Sequence, residues 1–245
     1  MAAVGRMRSV IERRMLINYR VDPVVASGWV PDGFRVQIVD GSALAGICMT
    51  RVARMVPRGV PGPLGWRGEN AAARVAVEWV ENDVTHRGTF ILRRFSASAA
   101  VVAVGGRLFP GVHDKATITS TEAPHRITVE LRTSDAPTVT VDADVAFTTR
   151  LRGSVFPTVS DAAEFFSAAA TEWSPARTAD RLDGLRLDAA EWSLDPTTPI
   201  RVRSSLFDDL ADGVAELDSV LVMRDVAAEW VPVPTPPMAA MKPRV

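Results

Sequence analysis

Alternation of apolar and polar residues with a period of two is the feature that most constrains how this chain folds. In Thr138–Phe147 every second residue is apolar, and Ile127–Leu131 repeats the pattern. Successive side chains of a β-strand point to opposite faces, so this period indicates strands that are buried on one side. Four further segments are strand candidates: Phe34–Val39, Ala73–Val80, Thr89–Phe95 and Ala116–Thr121. Most of residues 1–150 is therefore predicted to be β-structure.

Signals for helices are fewer and shorter. Asp22 before Pro23 predicts the start of a helix that ends near Trp29, because Asp caps a helix and Pro suits its first turn. The Ala-rich segment Ser96–Val104 is predicted to be a helix that stops at the following glycines. The longest predicted helix is Ser160–Trp173, with Ser160 as its N-cap.

Short strands are predicted again after Gly184. They are Leu185–Leu187, Glu191–Leu194, Ile200–Ser204 and Ser219–Met223. About ten strands with few helices predict a mainly β (α+β), mostly antiparallel fold that closes into a barrel or packs as a sandwich. Residues 1–230 are predicted to form one domain. The five prolines of residues 231–245 predict an extended or disordered tail, or a strap on the body.

Composition excludes several classes of function. The 245 residues carry 28 Lys+Arg against 29 Asp+Glu, a formal net charge of −1, so the chain lacks the positive field that nucleic acids attract. No apolar run is long enough for a membrane span, and no apolar segment marks a signal peptide, so we expect a cytoplasmic protein. The expected partners are small molecules, with no nucleic acid and no membrane, and a homo-oligomer is compatible with the sequence.

Metal and cofactor motifs are missing from the sequence. Cys48 is the single cysteine, which excludes an internal disulfide and a Cys-based metal site, and the three histidines are widely spaced. The sequence has no dinucleotide-binding loop, no Walker lysine, no HExxH and no GxSxG motif. We therefore expect no metal and no cofactor, and no hydride, phosphoryl or serine-hydrolase chemistry.

Charged residues inside the predicted strands are candidates for a binding site. Arg74 and Glu78 share one face of a strand, whereas Arg93 and Arg94 are consecutive and must point to opposite faces. Arg203 lies in another predicted strand. In a closed barrel, inward charges line a ligand cavity or form a buried ion-pair network, and a solvated outer face is the alternative.

Four other residues are candidates for chemistry. Glu69 lies where a Pro/Gly-rich loop meets a strand, a common place for catalytic groups, although it could simply cap a turn. His113 follows a turn and is either functional or structural. Lys115 would suit Schiff-base chemistry if it were buried, but a solvated lysine is the alternative. Tyr19, the only tyrosine, is expected to find a hydrogen-bond partner if it is buried.

Several motifs carry a family resemblance from Val10 to Trp230. They are Asn18–Pro23, Gly68–Ala71, Arg93–Phe95, Gly106–Gly111, Arg181–Leu185, Arg203–Asp209 and Met223–Asp225. Together they resemble the YqjF-like domain-of-unknown-function family, which is related to the acetoacetate decarboxylase superfamily. The resemblance implies a cone-shaped antiparallel β-barrel with a few short helices and a central cavity.

The resemblance also bears on the chemistry. Tyr19–Asp22 matches a first-strand pattern of acetoacetate decarboxylases, and Glu69 falls where those enzymes place a cavity glutamate. Arg93–Phe95 is similar to the strand that leads to their Schiff-base lysine, yet Ser96–Val102 here holds no lysine. The chain has 26 arginines and only two lysines, and Lys115 does not match the catalytic position. Decarboxylation through an iminium is therefore not expected.

The sequence favours a cofactor-independent small-molecule enzyme with a carbonyl-containing or polyketide-like substrate in the barrel cavity. The expected chemistry is acid/base catalysis of lyase, dehydratase or cyclase type. The predicted catalytic residues are Glu69, Arg93 and His113, and the predicted substrate-binding residues are Tyr19, Arg74, Glu78, Arg94 and Arg203. One alternative is a non-catalytic binding or sensor protein with a lipocalin-like cavity. Another is a structural protein whose Pro-rich tail docks on a partner subunit.

A filled barrel would argue against both cavity hypotheses. Trp79, Phe90 and Phe95 are the large aromatic residues of the predicted strands. If their side chains occupied the whole interior, neither a substrate nor a ligand could enter.

Overall fold

The computed structural model describes residues 5–107, 109–135, 137–178 and 181–234. Strands make up 60% of the structure and helices 12%. This confirms the predicted mainly β fold with a few short helices.

The strands belong to one large hydrogen-bonded sheet. They are β1 (Met7–Val21), β2 (Arg35–Val36), β3 (Ile38–Val39), β4 (Ser42–Pro57), β5 (Trp66–Glu81), β6 (Val84–Ser96), β7 (His113–Ala123), β8 (Arg126–Thr133), β9 (Thr140–Phe147), β10 (Thr171–Pro175), β11 (Leu182–Ala189), β12 (Asp195–Ser204) and β13 (Ala215–Val233). The helices are α1 (Pro23–Ser27), α2 (Ala99–Val104), α3 (Val159–Ala168) and α4 (Ser205–Asp208), with one turn of 3₁₀ helix at Gly62–Leu64.

The strand pairings close into two rings that share a wall. Nine strands form the larger ring in the order β6-β7-β8-β9-β12-β13-β1-β4-β5, and β5 pairs with β6 to close it. Seven strands form the smaller ring in the order β11-β10-β6-β5-β4-β1-β13, which the pairing of β11 with β13 closes. Most pairs are antiparallel, but β6 pairs in parallel with both β7 and β10. The shared wall is β13, β1, β4, β5 and β6.

The shared wall buries both of its faces. On β1, Met15 and Ile17 pack into the core of the nine-strand ring, while Leu16 packs into a second apolar cluster on the opposite face. The core of the nine-strand ring also contains Trp79, Phe90 and Phe95, so aromatic residues do fill that ring. The seven-strand ring is different, because it encloses the cavity described below.

Helix α3 packs on the second apolar cluster. Its Ala162 and Phe166 are buried there with Leu16 of β1 and Leu44 of β4. The helix starts at a capping box in which Thr158 and Asp161 exchange hydrogen bonds, and these satisfy backbone N–H groups of the first turn.

Several predicted boundaries are wrong for identifiable reasons. The predicted helix Ser160–Trp173 has Thr158, not Ser160, as its N-cap and ends at Ala168, because Thr171–Pro175 pairs with β6 and β11 as β10. Glu191–Leu194 is not a strand. Strands β1 and β4 did not appear in the alternation because most of their residues are buried on both faces.

The predicted tail is only partly described. Val231–Val233 continue β13 and pair with β11, so the strand reaches past residue 230. The tail beyond residue 234 lies outside the described residues.

Candidate functional site

The seven-strand ring encloses a cavity of about 660 Å³. Each of its seven strands contributes to the lining, and α2 and the segment before β7 complete it. The polar or charged lining residues are Arg14, Cys48, Thr50, Asn70, Arg74, Arg94, Ser98, His113 and Glu172. The larger apolar ones are Met7, Val52, Met55, Pro57, Trp66, Ile91, Val101, Val104, Phe109, Leu185 and Trp230.

A buried ion-pair cluster lies at one end of the cavity, which we call the polar end. Glu172 of β10 accepts a hydrogen bond from Arg94 Nη2 at 3.1 Å, and its other oxygen lies 3.5 Å from Arg14 Nη2. The three side chains are each less than 10% exposed. The parallel pairing of β10 with β6 places Glu172 opposite Thr89, and the long Arg94 side chain from farther along β6 contacts the carboxylate. One carboxylate thus faces two guanidinium groups.

Arg74 adds a third positive charge to this end. It is 3% exposed, donates a hydrogen bond to Asn18 Oδ1, and lies 4.9 Å above the ring of Phe166. No carboxylate forms an ion pair with it among the described residues. Burial and the nearby Arg14 lower the pKa of Arg74 to about 10, so it is still charged at pH 7.

Two guanidinium nitrogens at this end have no hydrogen-bond partner within the described part of the chain. They are Arg14 Nη1 and Arg74 Nε. Unsatisfied buried donors are costly, so an occupant that accepts hydrogen bonds would be stabilised here. Three arginines and one glutamate leave an excess of two positive charges, and a carboxylate is the simplest ligand that meets both requirements.

Cys48 lies beside Arg14 in the same cluster. Arg14 Nε donates to Cys48 Sγ at 3.1 Å, and Thr50 Oγ1 lies 3.2 Å from the same sulfur. Because β4 runs beside β1, alternation on the two strands places these groups on the cavity face. The sulfur lines the cavity, so a reagent or ligand inside the cavity would meet it.

His113 is the only histidine among the lining residues that the structure describes. Its Nδ1 lies 3.1 Å from the carbonyl oxygen of Gly111, which can only accept, so Nδ1 carries the proton and Nε2 is left as the acceptor. Burial, and then the charge of Arg94, lower the pKa of His113 to about 4. The ring is therefore neutral at pH 7.

Gly111 restricts the positions of the Arg94 and His113 side chains. Its φ of +85° lies in the left-handed region, and a Cβ there would come within 2.5 Å of Arg94 Nε. The backbone N–H of Gly111 donates to Asp183 of β11 at 2.8 Å, and this hydrogen bond connects the segment before β7 to the seven-strand ring. The residue type at this position therefore determines where Arg94 and His113 can lie.

Three of the predicted site residues are brought together in the cavity: Arg74, Arg94 and His113. Arg93 faces away from it and pairs with Asp114 at 2.8 Å. This agrees with the expectation that Arg93 and Arg94 point to opposite faces. Arg93, a predicted catalytic residue, therefore lies outside the cavity that Arg94 and His113 line.

Glu69 also lies on the other face of the wall. Its oxygens accept from Arg13 at 2.6 Å and from Arg51 at 2.7 Å, while the neighbouring Asn70 lines the cavity. Arg13 and Arg51 also pair with Glu122 of β7. The prediction that Glu69 lies in the cavity with a binding arginine is wrong, because Glu69 does not line the cavity. The residue is held in a charge-balanced network.

Four other candidates lie away from the cavity. Tyr19 is buried in the core of the nine-strand ring, stacked on Phe207 at 4.2 Å, and its hydroxyl has no partner within the described residues, contrary to expectation. Burial raises its pKa. Glu78 pairs with Arg35 at 3.1 Å, and Arg203 is exposed on β12. Lys115 is exposed and donates to the carbonyl of Ala97.

Sequence reasoning missed Arg14, Cys48 and Glu172. The pair Arg13-Arg14 carried the same signal as Arg93-Arg94, since consecutive charges in a strand face opposite ways. Glu172 gave no signal, because it lay in the segment predicted to be helical. Cys48 lies in a strand without alternation.

The comparisons with known proteins place the chain in a family. The family model described as DUF2071, uncharacterized conserved protein, matches residues 9–226. The chain belongs to this family. The predicted resemblance is thereby confirmed. A search of curated proteins gave no significant match.

Solved structures similar to this DUF2071 chain are acetoacetate decarboxylase-like. Acetoacetate decarboxylase from Legionella pneumophila has a TM-score of 0.63 at 12% identity, with 95% of this chain and 88% of that chain covered. An acetoacetate decarboxylase-like enzyme from Sphingomonas wittichii RW1 has a TM-score of 0.61 at 12% identity, over 98% and 95%. The enduracididine biosynthesis enzyme MppR, complexed with pyruvate, has a TM-score of 0.55 at 14% identity, over 96% and 90%. These similarities show the fold.

Metal-binding clusters and membrane-spanning helices are both absent from the described residues. No group of three or more His, Cys, Asp and Glu side chains could hold a metal ion. No helix among them is long and apolar enough to cross a membrane.

Proposed function

We propose that this protein is a small-molecule enzyme that binds a carbonyl compound with a carboxylate group in the seven-strand ring. The observation that carries the proposal is the buried excess of positive charge at Arg14, Arg74 and Arg94, of which Glu172 balances one. A carboxylate bound there would neutralise charge and accept from the unpartnered Arg14 Nη1 and Arg74 Nε. The fold shared with MppR, described in complex with pyruvate, supports a keto acid.

Acid/base chemistry fits the groups beside the arginines. His113 is neutral with a free Nε2, so it can take a proton from the carbon next to the substrate carbonyl. The electron pair of the broken C–H bond passes to the carbonyl oxygen, and the resulting oxyanion is stabilised by a guanidinium such as that of Arg94. Reactions of lyase, dehydratase and cyclase type can all start from such an enolate.

The charge of the bound substrate would also raise the pKa of His113. In the empty cavity, burial and Arg94 lower the pKa of His113 to about 4. A carboxylate placed beside Arg94 offsets that positive charge and so raises the pKa of the imidazole toward the range of an effective base. Catalysis would then depend on prior binding of the anion.

Schiff-base chemistry is not part of the proposal. Lys115 is exposed and does not line the cavity, and no other described residue is a lysine. Borohydride treatment with a keto acid, followed by mass spectrometry, tests this directly. A reduced adduct on Lys115 would contradict the acid/base proposal.

Exchange of substrate protons with solvent tests the proposed function without knowledge of the product. A panel of keto acids is incubated with the protein in deuterium oxide and followed by proton NMR. We expect loss of the signal next to the carbonyl for at least one compound, and at least a hundredfold slower exchange with His113→Gln. Glu69→Gln, outside the cavity, is the matched control and should exchange normally.

A non-catalytic binding protein is the second candidate, favoured by the large apolar part of the lining. It predicts tight binding of a carboxylate with no exchange and no turnover of any bound carbonyl compound. That outcome would replace the enzyme proposal.

A further inference from the structure

Along β1, β4 and β5 the cavity lining changes from polar residues at one end to apolar residues at the other. On β1 the lining passes from Arg14 to Met7, seven residues earlier, and on β5 from Arg74 to Trp66, eight residues earlier. At about 3.3 Å per residue, these separations correspond to roughly 20–25 Å along the wall. Because β1 and β5 flank β4 and run in the same direction, this change makes the cavity an elongated channel rather than a compact pocket.

The polar end is the deep one. Arg74 is 3% exposed and Arg14 7% exposed, whereas Met55 and Trp66 near the other end are half-buried and Pro57 is exposed. A carboxylate at the arginines therefore lies inside the protein. The rest of the molecule has to extend from there toward the apolar mouth.

The apolar half provides a surface for a tail. It is formed by Met7, Val52, Met55, Pro57, Trp66, Val101, Val104 and Trp230. The indole N–H of Trp230 is already bonded to Ser9 Oγ at 2.9 Å, so its ring offers only apolar surface. A volume of about 660 Å³ is in the range of roughly 300–1,000 Å³ that holds drug-sized ligands, and pyruvate or acetoacetate would leave most of it unfilled.

We propose that the ligand class of this cavity is an amphiphilic carboxylate, with its acid group at Arg14 and Arg74 and an unbranched apolar tail of about eight to twelve carbons that extends toward the mouth. The inference rests on the proposed function for its carbonyl chemistry, and it adds the tail. Burial of the tail provides most of the binding free energy, and the arginines fix its direction.

A chain-length series tests the tail. Calorimetric titration is carried out with butanoate, hexanoate, octanoate and decanoate, and with decanol as the uncharged control. Affinity should rise roughly fourfold for each methylene buried, as long as the tail stays within the cavity. Decanol should bind at least tenfold more weakly than decanoate. Equal affinities along the series, or equal binding of decanol, would overturn the proposal.

Cys48 gives an independent readout because it is the only cysteine of the chain and lines the polar end. Its modification by iodoacetamide is followed by mass spectrometry, with Cys48→Ser as the unlabelled control. Decanoate should slow labelling at least tenfold at concentrations at which butanoate has no effect. Labelling that decanoate does not change would place the carboxylates elsewhere and overturn the assignment.

A matched pair of variants on α2 distinguishes binding of the ligand's tail from binding of its acid group. Val101 lines the apolar half, and Val102, which follows it on the same helix, does not. Val101→Trp should weaken decanoate binding at least tenfold and leave butanoate binding unchanged, and Val102→Trp should change neither. Loss of both ligands in Val101→Trp, with a fold unchanged by circular dichroism, would contradict the proposed position of the tail.

The inference and the proposed function fail in different ways. If acetoacetate or pyruvate exchanges its protons as fast as long-chain keto acids, with no effect of chain length on KM, the enzyme proposal stands and the tail proposal falls. If the affinity rises with chain length but no long-chain keto acid exchanges protons, the tail proposal stands and the enzyme proposal falls.

Discussion

Arg94 Nη2 lies 3.1 Å from Glu172 Oε2, and both side chains are less than 10% exposed. The contact joins β6 to β10, whose backbone pairing is a short parallel one of two residue pairs. Glu172 is also the only carboxylate that faces the three cavity arginines among the described residues. This ion pair therefore adds a side-chain link between β6 and β10 and sets the charge of the cavity.

Glu172→Gln should be strongly destabilising. The substitution keeps the shape of the side chain but leaves Arg14 and Arg94 buried without a carboxylate, at a cost of about 3–5 kcal/mol. Urea unfolding measures the change in free energy. Asp114→Asn, which removes the half-exposed partner of Arg93, should cost less than about 1 kcal/mol. Similar losses in both variants would mean that the burial of Glu172 does not matter.

Arg74→Met should weaken carboxylate binding with little change in the stability of the fold. Arg74 is buried, has no ion-pair partner in the described residues, and is hydrogen-bonded to Asn18. Replacing a desolvated charge with an apolar side chain of similar length should leave the free energy of unfolding within about 1 kcal/mol of wild type. Carboxylate affinity should fall at least tenfold. Unchanged affinity by calorimetry would exclude Arg74 from the binding site.

Acidification should destabilise the protein through His113. Its pKa is about 4 in the folded protein against 6.5 for the ordinary group, so the unfolded chain binds a proton between these values and the folded one does not. Stability is therefore lost as the pH falls from 6.5 to 4, by up to about 3 kcal/mol. Urea unfolding at a series of pH values measures this. His113→Gln should lose correspondingly less stability over the same interval, and an identical slope would refute the assignment.

Gly111→Ala should disturb the site more than other glycine substitutions of the same kind. A methyl group there would meet Arg94 in addition to adopting a left-handed φ, so we expect a loss of about 2–4 kcal/mol. Gly153 has a φ of +66° with open space around it, and Gly153→Ala should cost only about 1 kcal/mol. Thermal unfolding and decanoate titration of both variants test whether Arg94 has moved.

Glu69→Gln should lower stability without changing catalysis. Its carboxylate accepts from Arg13, whose side chain is fully buried, but Glu122 remains to balance that charge. We expect a loss of about 1–3 kcal/mol in urea unfolding. Proton exchange of a keto acid should proceed at the wild-type rate. A large loss of exchange in a stably folded Glu69→Gln protein would return Glu69 to the catalytic site.

The fold was predictable where strands have one polar face. Strands β8 and β9 alternate and were predicted within a few residues of their observed bounds. Strands β1 and β4 have two buried faces and show no alternation, so their sequences did not reveal them. The same limit applies to the site. Arg74 and Arg94 could be identified from the sequence as charges within strands. Glu172 could not, because its position depends on the pairing of β10 with β6.

The sequence has no lysine in Ser96–Val102, where the resemblance to acetoacetate decarboxylases implies the catalytic lysine, so a Schiff base was not to be expected. Alternation determined that Arg93 and Arg94 point to opposite faces. Only the tertiary structure decided which face is enclosed by which ring. In a wall shared by two rings both faces are buried, so burial, the signal that alternation reports, cannot distinguish the filled ring from the one with a cavity.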